Sequence, residues 1–209
     1  MSSPSSWQLL LDDPPLWRRD GVLGEPMATR LLHRLDAEVP WQRPTLRLYG
    51  REYPIPRRQA WMGEPDAHYR YSGRDFTPQP WHPELLGIKA EIESCLAALG
   101  LPRALNSVLL NRYGDGQERM GWHSDDEPEL GEAPVIAALS LGAERPLRFR
   151  WKDRRGPAFN LWLPHDSLLV MGPSCQAVLQ HALLPRQGRI HQPGLRINLT
   201  FRHIQPRRP

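Results

Sequence analysis

Arg196-Ile197-Asn198-Leu199-Thr200-Phe201-Arg202 is the stretch that decides how this chain folds. On a strand, successive side chains point to opposite faces. Arg196, Asn198, Thr200 and Arg202 then share one face, and Ile197, Leu199 and Phe201 the other. The simplest arrangement is an edge strand with its apolar side on the core and its polar side in water. Asn is depleted in strands, however, which makes Arg-x-Asn-x-Thr-x-Arg unusual for a solvated face. The alternative turns the polar face inward, where two guanidinium forks grip a dicarboxylate through paired hydrogen bonds.

Short strand patterns fill the chain upstream of this segment. They cover Ser107–Tyr113, Val135–Leu141, Leu147–Trp151, Phe159–Leu163, Ser167–Met171 and Ala177–Leu184, and the last strand extends over Arg196–His203. Turn signals such as Gly114-Asp115-Gly116, Arg155-Gly156-Pro157 and Pro164-His165-Asp166 separate them. Many short strands at this spacing predict a mostly β fold of the sandwich, jelly-roll or barrel kind. Two helices precede them. One opens at Pro26 and sets Met27, Leu31, Leu32 and Leu35 on one face. The other runs from Pro83 to Leu99, with Leu85, Ile88, Ile92, Leu96 and Leu99 at helical spacing and Gly100 as its stop. Both are expected on one side of a sheet. Residues 1–25 read as an extension or strap, and Thr45–Gly50 with Arg51–Pro54 as a hairpin around Tyr49-Gly50.

With 209 residues the chain amounts to about one domain. No segment approaches the ~20 apolar residues that span a bilayer, and Met1–Trp7 lacks the basic start and apolar run of a signal peptide. A cytoplasmic protein, of bacterial source, is expected. Cys95 and Cys175 form no CxxC pair and read as two reduced, buried thiols. The net charge of +4 favours a polyanionic partner, but only weakly. Lys89 and Lys152 are the only lysines, so where the arginines lie matters more than their number.

Gly121-Trp122-His123-Ser124-Asp125-Asp126-Glu127 supplies the second constellation. His123 and Asp125, two residues apart on a strand, can reach one ion, and His181 lies on a different expected strand. Two His and one carboxylate on one face of a metal describe the facial triad of non-haem Fe(II), with three positions left open. A zinc hydrolase accepts the same ligands. Asn111 and Tyr113 share a face by the same spacing of two, and an amide and a phenol there would complete an anion pocket. Otherwise Tyr113 packs in the core and Asn111 caps a turn. After the hairpin, Arg57, Arg58, Trp61, Tyr69, Arg70 and Tyr71 interleave cations with aromatics, as a nucleic-acid surface requires. A solvated hairpin with its aromatics folded inward is the alternative.

Asn111-Arg112-Tyr113, His123-Ser124-Asp125-Asp126-Glu127, His181 and Arg196–Arg202 together resemble the AlkB family of Fe(II)/2-oxoglutarate-dependent dioxygenases. The resemblance extends from about Thr45 to Ile204. Pro56-Arg57-Arg58-Gln59 and Tyr71-Ser72-Gly73 resemble most the branch that repairs alkylated DNA. The family implies a double-stranded β-helix (jelly-roll) core over residues 83–205. It implies a nucleotide-recognition hairpin and lid over residues 41–82, and an N-terminal extension and helix over residues 1–40. His123, Asp125 and His181 are its implied iron ligands and catalytic set. Asn111, Tyr113, Arg196, Asn198, Thr200 and Arg202 are the implied 2-oxoglutarate pocket, with Arg196 at the distal carboxylate and Arg202 nearer the iron.

The implied reaction is oxidative demethylation. O2 and 2-oxoglutarate yield succinate and CO2, an N-methyl group is hydroxylated, and formaldehyde leaves. A base such as 1-methyladenine or 3-methylcytosine must first leave the helix. Tyr71 and His123 are candidates for its two stacking faces, Trp61 and Tyr69 lie among the base-contacting candidates, and Glu127 is a candidate acceptor for its exocyclic amine. Leu48, Tyr49 and Gly50 sit where a wedge would fill the vacated gap. Arg57, Arg58, Lys152, Arg154 and Arg155 are candidate DNA contacts. One departure is visible: Arg186-Gln187-Gly188-Arg189 is less basic than the loop of duplex-specialised relatives. Alkylated DNA is the expected partner and a monomer the expected state. Alternatives are the same chemistry on RNA, protein or a small molecule, or a catalytically silent nucleic-acid-binding module.

Overall fold

The computed structural model describes residues 6–48, 50–71, 74–102, 104–186 and 194–205. The chain opens with β1 (Gln8–Leu11), β2 (Leu16–Asp20) and α1 (Glu25–Glu38). Five short strands follow: β3 (Thr45–Leu48), β4 (Arg51–Pro54), β5 (Arg58–Gly63), β6 (Tyr69–Tyr71) and β7 (Arg74–Phe76). Then come α2 (Pro83–Ala98), β8 (Ser107–Tyr113), β9 (Met120–His123), β10 (Ile136–Gly142), β11 (Arg145–Trp151), β12 (Phe159–Leu163) and β13 (Ser167–Met171). A single turn of helix, α3 (Cys175–Val178), leads into β14 (Leu179–Leu183), and β15 (Arg196–Arg202) closes the fold.

Two antiparallel sheets carry the architecture. The larger has the order β1-β2-β13-β10-β15-β8-β5, and the smaller β12-β11-β14-β9. Every neighbour in the smaller sheet is far away in sequence or joined by a turn, which is the wound pattern of a double-stranded β-helix. The hairpins β3-β4 and β6-β7 stand as separate two-stranded ribbons.

Side-chain alternation splits the core into two layers. Ala137, Leu139 and Leu141 of β10 and Ile197, Leu199 and Phe201 of β15 pack with Leu31, Leu32 and Leu35 of α1 and Leu85, Ile88 and Ile92 of α2. The helices thus cover the outer face of the larger sheet, as their periodicity predicts. Ile136 and Ala138 on the other face of β10 pack with Phe149, Leu163 and Leu179 of the smaller sheet. β15 lies between β10 and β8, so both its edges are paired. Its apolar side goes to the helices, and its polar side turns into the space between the sheets. The edge-strand arrangement is thereby excluded.

Several local readings change. Residues 1–25 are not merely a strap: β2 pairs with β13 along its whole length, from Leu16 opposite Met171 to Asp20 opposite Ser167. Strands of four and five residues are too short for alternation to show, and Asp12-Asp13-Pro14-Pro15 between them masks the hairpin. Met27 is 43% exposed, whereas Ala28 is fully buried. The inward stripe of α1 runs 28, 31, 32, 35, a complete i, i+3, i+4, i+7 set one residue out of phase with Met27. The segment read as a loop after the hairpin contains β5, whose run Ala60–Gly63 is buried on every residue and so carries no period-two signal. A Cβ on Gly63 would meet the Asn106 carbonyl at 2.7 Å, so the strand approaches its neighbour more closely than a side chain allows.

Candidate metal centre and anion cavity

Strand register assembles the metal-ligating groups. His123, the last residue of β9, stands directly opposite His181 of β14. Their ring centroids are 4.2 Å apart. Asp125 lies beyond the end of β9, so strand alternation does not aim it. Two hydrogen bonds do that work instead. The Asp125 amide donates to Gln176 Oε1 (2.9 Å), and Ser124 Oγ donates to the Leu179 carbonyl (2.8 Å). Ligand atoms of His123, Asp125 and His181 come within 4.8 Å of one another.

The protonation states suit a cation. His123 Nδ1 lies 2.9 Å from the Gly121 carbonyl. A carbonyl only accepts, so this nitrogen carries the proton and Nε2 keeps its lone pair. Burial pushes His181 down to about 3, assisted by His123, and burial also lowers His123. Burial works to raise Asp125, but Arg202, His181 and His123 outweigh it and hold the carboxyl below its usual range. At neutral pH the set is therefore two neutral imidazoles and one carboxylate, the form a divalent cation needs. Asp125 Oδ1 accepts from Arg202 at 2.5 Å. Asp125 Oδ2 is buried with no hydrogen-bond partner among the described residues and lies 4.0 Å from His181 Nε2. A buried carboxylate oxygen left open beside two imidazoles fits a divalent ion.

Next to these groups lies a partly open cavity between the two sheets. Its polar lining comes from β8 and β15, where Arg196 faces Tyr113 and Asn198 faces Asn111 in register. Thr200 and Arg202 continue the same face toward His123, Asp125 and His181, and Met120, Leu147, Met171 and Leu183 supply an apolar wall. Arg196 is 2% exposed; it donates to Ser140 Oγ (2.8 Å) and more loosely to the Leu163 carbonyl (3.4 Å), and its Nε has no partner among the described residues. Burial pushes this guanidinium down to about 10. Arg145, fully buried, donates to the carbonyls of Glu118 (2.7 Å) and Leu184 (2.8 Å), and lies 5.6 Å from the Tyr113 ring centroid. Burial raises the Tyr113 phenol, while Arg57, Arg196 and Arg145 act against that rise. Among the described residues none of these three guanidinium groups has a carboxylate within 4.0 Å. Buried cations without counter-charge are costly. An anionic ligand at this end would relieve that cost, and a diacid could reach from Arg196 to the metal-ligating groups.

All nine residues expected at the metal and cosubstrate line this one cavity. The substrate-side expectations fare differently. Arg57 is 6% exposed and bonded to Asn111, so it is not a surface phosphate contact. Trp61 is equally buried, packs with Ala67, Leu130 and Ile204, and donates its indole N–H to the Ala67 carbonyl. It belongs to the core, not to the base-facing surface, because the buried run of β5 draws it in. Lys152 is held by Asp126 (2.9 Å) and the Gln176 carbonyl (2.7 Å), and the Arg155 guanidinium lies 3.8 Å over the Trp151 ring. Arg58 and Arg154 are exposed. Glu127 is half-buried where the turn Pro128–Leu130 begins. Gly50 turns the β3-β4 hairpin at φ +79°; Tyr49 lies outside the described residues, and Leu48, Tyr69 and Tyr71 are placed on their strands by backbone alone. Sequence reasoning missed Gln176, Ser140 and Arg145. A lone Gln or Ser carries no signal; Arg145 had one, since it shares a strand face with Leu147 and Phe149.

Comparison with known proteins agrees with this geometry. The family model described as the 2OG-Fe(II) oxygenase superfamily matches residues 19–202. The "DNA oxidative demethylase ALKBH2" of Mus musculus is 35% identical over 195 residues, covering 88% of this chain and 78% of that protein. The "Alpha-ketoglutarate-dependent dioxygenase alkB homolog 3" of Mus musculus is 39% identical over 188 residues, 84% of this chain and 61% of that protein. A solved structure titled "The structure of OsALKBH1" superposes with a TM-score of 0.68 over 95% of this chain and all of that one; at 16% identity it speaks to the fold alone. Both sequence relatives are mammalian and lend no support to a bacterial source. No helix among the described residues is long and apolar enough to cross a membrane.

Proposed function

This chain belongs to the AlkB family of 2OG-Fe(II) oxygenases, and from that premise we propose that it is an oxidative demethylase of N-alkylated bases in DNA. One observation carries the reading: a neutral His–His–carboxylate set with an open buried oxygen shares a single cavity with the buried Arg196 guanidinium, which among the described residues has no carboxylate within 4.0 Å. His123, Asp125 and His181 would hold Fe(II). Arg196, with Asn111 and Tyr113, would receive the distal carboxylate of 2-oxoglutarate, and Asn198, Thr200 and Arg202 would line its path to the metal. With O2, the loaded centre supplies the oxidising power that turns an N-methyl group into formaldehyde while the cosubstrate becomes succinate and CO2. The protein's own part is to bind, orient and shield. Arg202 fixes one oxygen of Asp125 and leaves the other, which would face the ion, and Met120, Leu147 and Leu183 line the cavity with apolar surface that would help to shield it from water.

On the substrate side, the β3-β4 hairpin, together with Tyr49, is the proposed wedge. Tyr71, His123 and Glu127 are the proposed base contacts, and Arg58 and Arg154 are proposed phosphate contacts. Lys152 and Arg155 would join the latter by exchanging Asp126 and Trp151 for phosphate. We propose a monomer acting in the cytoplasm, with RNA as the competing substrate. Anaerobic reconstitution with Fe(II), followed by assay on DNA and RNA oligonucleotides bearing 1-methyladenine or 3-methylcytosine, tests the reading. Formaldehyde and succinate in equal amounts from DNA are expected. His123→Ala and Asp125→Ala should abolish both while leaving the far-UV circular dichroism unchanged. Cosubstrate turnover without release from any nucleic acid would overturn the substrate assignment.

A further inference from the structure

We propose that Arg57 is a positioning residue for the cosubstrate: it fixes the Asn111 amide so that the NH2 group, rather than the oxygen, faces the anion cavity. This rests on the cosubstrate reading above.

Arg57 immediately precedes β5, whose Gln59 pairs with Asn111 of β8. Its Nε donates to Asn111 Oδ1 at 2.8 Å, and a second nitrogen donates to Gln59 Oε1 at 3.3 Å. A guanidinium has five donors and no acceptor. The amide in front of it can therefore present only its oxygen, which leaves Nδ2 as the atom available to the cavity that Asn111 lines. The oxygens of a carboxylate or keto group only accept, so this orientation sets donor against acceptor. A flipped amide would set oxygen against oxygen.

The backbone holds Arg57 in place from both sides. Arg119 N donates to the Pro56 carbonyl (2.9 Å), and Gln59 N donates to the Gln42 carbonyl (2.8 Å). At 6% exposure the guanidinium is out of reach of a DNA phosphate on the surface. No carboxylate among the described residues comes within 4.0 Å of it, and its charge acts on Tyr113 and His123, which line the cavity. Arg57 thus serves the same anion as Arg196, through Asn111 rather than by contact.

Calorimetric titration of 2-oxoglutarate into the Mn(II)-loaded protein, which binds without turning over, tests this. Losing a hydrogen bond to a charged acceptor should weaken 2-oxoglutarate about tenfold in Arg57→Met, with Mn(II) affinity changed far less. Arg57→Gln, which can present either atom to Asn111, should weaken it as well, and Arg57→Lys, still donor-only, should recover part of the loss. In turnover, KM for 2-oxoglutarate should rise more than kcat falls. Wild-type 2-oxoglutarate affinity in folded Arg57→Met or Arg57→Gln, with weakened DNA binding, would overturn the proposal and return Arg57 to the phosphate contacts. If the wild-type protein itself takes up no 2-oxoglutarate, the proposed function fails first and the inference with it. That result is distinct because it needs no variant.

Discussion

Arg196 and His181 show how much single residues carry here. Arg196 holds a charge in a space where water does not reach it, steadied by one hydroxyl and a carbonyl. Removing it leaves no direct counter-charge at the far end of the cavity. Arg196→Ala is expected to raise the 2-oxoglutarate requirement by about two orders of magnitude, as for loss of a buried charge-assisted pair, and a steady-state KM measurement checks this. His181 gives a pH signature. Its folded value of about 3 lies below the ordinary 6.5. Between those values the unfolded chain binds more protons, so stability rises with pH and falls on acidification. Metal-free protein should lose on the order of 1 kcal/mol per pH unit as pH drops from about 6 toward 4. Asp125 does not offset this: its carboxyl is held low in the fold, so it too loses stabilisation on acidification. Urea melts at several pH values should show the slope, and His181→Asn should reduce it, leaving the part that the buried His123 contributes.

At the scale of elements, the decisive object is a strand with two buried faces. β15 sends Ile197, Leu199 and Phe201 to the helices and its polar residues to the cavity, so neither side tolerates change. Leu199→Ala should destabilise the fold by ~2–5 kcal/mol, as a large-to-small change in a packed layer does. The turn between β10 and β11 is equally constrained. Gly142 has φ +86°, and a Cβ there would stand 2.3 Å from the Leu195 carbonyl. Gly142→Ala combines backbone strain with a clash and should cost at least ~1–3 kcal/mol, read as a lowered denaturation midpoint. The β3-β4 hairpin makes a functional prediction. Tyr49→Ala should slow repair of duplex DNA more than of single strands, and equal loss on both would remove the wedge.

At the scale of the whole molecule, the N-terminus belongs to the sheet that carries the site. β2 covers β13, β13 lies beside β10, and β10 holds β15 in register. Leu16 is fully buried between the sheets. Deleting residues 1–20 would expose the β13 edge and open that layer. The truncated protein should melt well below the full chain in calorimetry, and it should weaken in 2-oxoglutarate binding even though no deleted residue lines the cavity.

Local chemistry alone determined a good deal: the strand and helix types, the two histidines and the carboxylate, and the polar face of the last strand. These follow from alternation, helical spacing and the donor properties of each side chain, which do not depend on what lies far away. Which way that polar face turned was beyond such reasoning, because an exposed strand and a cavity wall share one pattern. Only the pairing of β15 between two neighbours, with helices on its apolar side, settled it. Tertiary structure also decided that Arg57 and Trp61 are buried although their neighbours resemble a binding surface, that Gln176 aims Asp125, and that Arg145 is buried beside Tyr113. In each case the deciding partner is tens of residues away, and burial, which sets the cost of a charge or the use of an amide, arises only when distant segments meet.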